Sequence, residues 1–132
     1  VNKKKKIVLN NFKSLKEYYS PLLMGVKTIG ITCASRRVKK ENWKLMINKL
    51  LSKLPDGSVV KPHPSFTINE EVYKNFNRIF NQVSKGRVTL CSYKIILEIE
   101  MIYESKKLIG PKSSLAKYAD HLGSSYEYVN LY

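Results

Sequence analysis

Two short stretches carry residue types suited to handling a phosphate: Lys61-Pro62-His63-Pro64 and Gly110-Pro111-Lys112-Ser113-Ser114. Proline on both sides of His63 fixes φ and biases the preceding residues toward extended backbone, so the imidazole stands on a stiff loop. A ring held this way loses little entropy on contacting a phosphate or a leaving group. The same position also suits a turn histidine that caps a helix. Ser113 and Ser114 open a helical pattern, where hydroxyls and unpaired backbone N–H groups can meet an anion. Plain helix capping is the alternative there, and the two roles are compatible. Lys61, beside the histidine, is either a phosphate partner or a solvated charge at a strand end.

Two further candidates are carboxylate and basic-loop positions. Glu98 and Glu100 lie in Leu97-Glu98-Ile99-Glu100, and a carboxylate near a helix start accepts two hydrogen bonds from the paired hydroxyls of a ribose. A solvated or ion-paired role is the other reading of Glu98. Ser35 and Arg36, in Cys33-Ala34-Ser35-Arg36-Arg37, suit a phosphate or an acidic sugar, or else form an ordinary basic loop. His121 sits near a helix C-terminus, in a structural position.

The elements that must position these residues follow from the hydrophobic pattern. Short β-branched runs at 26–32, 58–62, 87–90 and 106–110, and a last aromatic run at 126–132, read as strands. Between them lie helical patterns. Trp43, Met46, Ile47, Leu50, Leu51 and Leu54 share one face, stopped by Pro55-Asp56-Gly57. Val72, Phe76, Ile79, Phe80 and Val83 share another, with Asn69 as N-cap and Gly86 at the end. Residues 93–105 predict a buried helix and 113–123 a capped one. The alternation predicts an α/β fold: a Rossmann-like, doubly wound parallel sheet covering 26–132. Residues 1–25 form a basic lead-in with a short strand or loop and a weak helix that Pro21 interrupts. In such a sheet ligands bind beyond the carboxyl ends of the strands, which is where Lys61–Pro64 and the serines fall.

Composition sets the class of partner. Lys and Arg number 24 against 10 acidic residues, a formal charge of +14. That surplus favours an anionic partner, whether nucleic acid, a phosphorylated molecule or an anionic membrane surface. Cys33 and Cys91 lack metal-ligand spacing and read as small hydrophobes in a reducing compartment. No apolar run reaches the ~20 residues of a membrane span, and no secretory signal pattern is visible. G-x-G-x-x-G, the P-loop, the G-x-S-x-G elbow and zinc spacings are all missing.

The order of features (strand, K-P-H-P, helix, strand, helix with an internal Glu, strand, S-S at a helix start) resembles the nucleotide-binding C-terminal half of bacterial GT-B sialyltransferases. The capsule polysialyltransferase and lipooligosaccharide sialyltransferase families carry a His-Pro motif and a Ser-Ser/Thr motif there, matched by His63-Pro64 and Ser113-Ser114. The resemblance implies that His63, Ser113 and Ser114 bind the phosphate of CMP-sialic acid and that His63 assists departure of CMP. It implies an inverting, metal-independent transfer with no cofactor, and an oligosaccharide or polysialic acid acceptor. It also implies a cytoplasmic enzyme, either free or resting on an anionic inner-membrane surface. The acidic Asp/Glu-Asp/Glu-Gly motif that supplies the general base in those families is missing: Glu70-Glu71 is followed by Val72. The chain is therefore expected to be the donor-binding half, with the base in another domain. Two rivals remain. A CDP-alcohol glycerophosphotransferase also shows K-P-H-P, but with Asp-Tyr-Ser-Ser at the second site. A basic nucleic-acid module fits the charge and nine tyrosines but shows no ribonucleoprotein or recognition-helix signature.

Overall fold

Among the described residues, 19–131 of the computed structural model, the β-branched runs form five strands and the amphipathic stretches four α-helices. In chain order these are β1 (Thr28–Ile31), α1 (Trp43–Leu51), β2 (Val59–Lys61), α2 (Glu70–Ser84), β3 (Thr89–Leu90), α3 (Leu97–Tyr103), β4 (Lys107–Gly110), α4 (Leu115–His121) and β5 (Ser125–Tyr128). The sheet runs β3-β2-β1-β4-β5 and every pairing is parallel, a Rossmann-like arrangement. The reading of residues 1–18 lies outside the described residues.

Strand alternation sends neighbouring side chains to opposite faces, each covered by helices. On one face Val60 and Ile109 pack with Met46, Ile47 and Leu50 of α1 and Phe76 and Phe80 of α2. On the other, Ile29, Ile31, Val59 and Leu108 pack with Leu97 and Met101 of α3 and Ala119 of α4. Each such fully buried aliphatic side chain contributes about 1.5–3 kcal/mol. Asn69 caps α2 as the spacing predicts, its Oδ1 accepting from the Glu71 and Val72 amides at 2.8 and 3.2 Å. At the other end Lys85 and Gly86 both turn left-handed, with φ of 50° and 80°.

Several elements are shorter than the sequence pattern suggests, among them β3, which spans only Thr89–Leu90 of the run 87–90. The helix expected over 93–105 spans only Leu97–Tyr103, because Ser92 Oγ accepts from the Lys94 amide and Ile96 is extended. Of the residues before it Ile95 is buried as part of a loop, while Tyr93 is exposed. β5 ends at Tyr128 rather than running to 132. The last bond of its ladder with β4 is Val129 N–H to Gly110 O. Gly110 itself is fixed by close approach: a Cβ there would stand 2.8 Å from the Ile31 carbonyl oxygen.

Candidate functional site

Ile31 ends β1, and the loops after β2 and β4 rise on either side of it. Strand order reverses beside β1, since β2 lies on one side and β4 on the other. Loops leaving in opposite directions open a crevice at such a point. The cleft found there has a volume of about 230 Å3 and is lined by Lys61, His63, Glu98, Ser113 and Ser114 over an apolar base of Ile31, Leu97 and Leu115. These polar residues come from three separate segments of the chain. A larger groove of about 410 Å3 lies against α1, between Arg37, Lys39, Leu45, Lys49 and Leu131. That groove offers cations but neither histidine nor hydroxyl, so the candidate residues gather in the smaller cleft.

His63 is held by a network that fixes its tautomer. Its backbone N–H donates to Thr32 Oγ1 at 2.8 Å, tying the loop after β2 to the end of β1. Its Nδ1 accepts from the Ser65 backbone N–H at 3.1 Å and lies 2.8 Å from Ser65 Oγ. An amide N–H can only donate, so Nδ1 holds the lone pair and the neutral ring carries its proton on Nε2. Ser65 Oγ in turn accepts from the Ser35 backbone N–H at 2.8 Å, which leaves its own proton for Nδ1. His63 thus caps the 3₁₀ turn Pro64–Phe66 through one nitrogen, leaves Nε2 outside that network, and lines the cleft. Burial pushes its pKa below the usual histidine value, and the positive charges of Arg36 and Lys61 push the same way. At neutral pH the ring is therefore an uncharged Nε2–H donor rather than an imidazolium.

The two serines divide their work. Ser113 Oγ accepts from the Leu115 amide at 3.1 Å, capping α4, while Ser114 makes no capping bond and lines the cleft. Glu98 sits in the first turn of the shortened α3, on the rim, nearer the helix start than the apolar run implies. Glu100 is buried instead and accepts from the Tyr19 hydroxyl and the Leu22 and Leu23 amides. Ser35 and Arg36 do not line the cleft. Ser35 supports the histidine loop through its backbone, and Arg36 is exposed, acting on His63 only through its charge. His121 ends α4, away from the cleft lining.

Thr32 and Ser65 are the functional residues that the sequence reading passed over. Ser65 was readable in principle: a serine two residues after a histidine in a proline-framed turn can bond back to it. Thr32 was not, because its partner lies 31 residues away and only sheet pairing brings them together. Cys33 and Cys91 are both free thiols, and burial raises the pKa of each, that of Cys91 to about 11. Among the described residues no group of His, Cys, Asp and Glu could hold a metal ion, and no helix is long and apolar enough to cross a membrane.

Comparison with protein-family models found no match, and none was found among curated proteins or solved structures.

Proposed function

We propose that the chain is the donor-binding domain of an inverting sialyltransferase of the GT-B type, taking CMP-sialic acid for transfer to a surface saccharide. The observation that carries this reading is the convergence of His63, Ser113 and Ser114 in one cleft at the point where strand order reverses. In the reaction, an acceptor hydroxyl oxygen bonds to the anomeric carbon as the bond from that carbon to the phosphate oxygen breaks. The electron pair leaves with CMP, and a base in a second domain takes the hydroxyl proton. The role of this chain is to stabilise the charge that develops on the phosphate. Neutral His63 does so by donating from Nε2, Ser114 by donating its hydroxyl, and Lys61 by its charge. Glu98 would accept from ribose hydroxyls.

A polyanionic acceptor, or an anionic membrane surface beside it, is supported by the charge next to the cleft. In the loop that leaves the carboxyl end of β1 stand Arg36, Arg37, Lys39 and Lys40, opposed by Glu41. The 3₁₀ turn Ser35–Arg37 carries this basic face up to the histidine loop through the Ser35–Ser65 bond.

Thermal unfolding with CMP, CDP, UDP and oligonucleotides tests the reading. CMP at about 100 times its Kd stabilises the fold by about 2.7 kcal/mol, a rise of several degrees in Tm. His63→Ala weakens CMP binding about 10- to 150-fold, the loss of one hydrogen bond to a charged group. An equal response to every nucleotide, or none to CMP, sinks the proposal. A response to CDP alone points to a CDP-alcohol phosphotransferase, and one to oligonucleotides alone to a nucleic-acid module.

The protonation state gives a separate test. Because the pKa of His63 is lowered, its ring is already neutral at pH 7 and stays so at higher pH. CMP affinity, measured above pH 7 where the phosphate dianion is fully formed, is therefore flat up to pH 8.5. An imidazolium contact would instead lose about tenfold per pH unit over that range, and such a slope would overturn the donor role.

A further inference from the structure

Lys61 and Glu98 are the only formally charged side chains lining the cleft, and they are of opposite sign. Neither has a hydrogen-bond or ion-pair partner among the described residues, and they do not pair with each other. His63 adds no charge, because its network holds it as a neutral donor. The cleft lining thus carries no net formal charge, inside a chain whose total is +14. A site built for a diphosphate would need the reverse: several cations and no carboxylate facing the second phosphate.

We propose that Glu98 is a specificity-determining residue that limits this cleft to ligands with a single phosphate and turns away nucleoside diphosphates. One phosphate meets Lys61, the Nε2–H of His63 and the Ser114 hydroxyl. A second phosphate in a cleft of about 230 Å3 lies well inside the Debye length of ~8 Å from Glu98, where solvent ions screen little. It meets a carboxylate with no cation of its own in the lining, because Arg36 and Lys112, the latter next to Ser113, both lie outside it. The role of Glu98 is therefore repulsive toward the wrong ligand, and specificity commonly needs such an element. A single-phosphate ligand brings less negative charge near that carboxylate while its ribose hydroxyls bond it.

This inference rests on the nucleotide reading of the site, and the test separates the two. CMP and CDP are titrated against the chain and against Glu98→Gln, which keeps the side chain's size and removes its charge. The unaltered chain binds CMP at least about tenfold more tightly than CDP, the effect of roughly 1.4 kcal/mol of repulsion. In Glu98→Gln that ratio falls toward one, chiefly because CDP binds more tightly. Tighter CDP binding cannot arise from a damaged fold, so the gain is the diagnostic outcome. If CMP binds and depends on His63 but the CMP-to-CDP ratio is the same in both proteins, the role of Glu98 is wrong and the site reading stands. If neither nucleotide binds the unaltered chain, both fall.

Discussion

Phe66→Ala lowers stability by about 3–5 kcal/mol and weakens CMP binding although every cleft residue is still present. Phe66 is completely buried and ends the 3₁₀ turn that His63 caps. Its ring stacks on Phe76 at 4.2 Å and meets the edge of Trp43 at 5.4 Å, so one aromatic cluster joins α1, α2 and the histidine loop. Truncation leaves a cavity among large rings that cannot collapse together, which places the cost at the high end for a single substitution. The anchor also sets where the turn sits, and the turn supplies both groups that hold His63 Nδ1. Urea unfolding measures the first effect, and CMP titration at low temperature, where the variant is folded, measures the second. Phe66→Leu, which keeps most of the volume, costs much less and retains binding. A loss under 1 kcal/mol for the alanine, or unchanged CMP affinity in the folded variant, would refute the anchor role.

The link from Phe66 to His63 also shows which parts of this protein are legible in its sequence. Short β-branched runs separated by amphipathic stretches have few alternatives to a parallel sheet covered on both faces, and the fold follows that pattern. Proline framing around His63 and the Ser-Ser helix start are local signals, so their place on the rim could be read. Element ends were less legible. α3 starts late because Ser92 turns the chain first. Glu98 and Glu100 show the limit most plainly. Two residues apart on a helix, they point about 200° apart, so only one can face the rim. Sequence spacing separates them, but the tertiary fold decides that Glu98 takes the cleft and Glu100 the interior.

Glu100→Ala should cost about 3–5 kcal/mol and release the segment before β1, while leaving the cleft residues in place. Glu100 is fully buried, and its carboxylate accepts from the Tyr19 hydroxyl at 2.5 Å and from the Leu22 and Leu23 amides at 2.9 Å each. Burial and the bond to Glu100 together push the Tyr19 pKa up to about 12. Removing the acceptor leaves two backbone donors and a hydroxyl without partners, at about 1–3 kcal/mol for each that stays buried. Water can reach some of them once the segment lifts, which is why the losses do not simply add. The next fastening begins at Leu23 itself: the buried Lys106 ammonium bonds the Leu23 and Val26 carbonyls and Glu104, which in turn accepts from the Gly25 amide. Hydrogen exchange should therefore show the Leu22 and Leu23 amides losing protection while Gly25 keeps more of its own. Glu100→Gln separates charge from shape, because its amide NH2 cannot accept and so leaves at least one of the three donors unmatched. It falls between the parent and the alanine variant in stability. If Gln matches the parent, or if protection at Leu22 and Leu23 survives in the alanine variant, Glu100 does not fasten this segment.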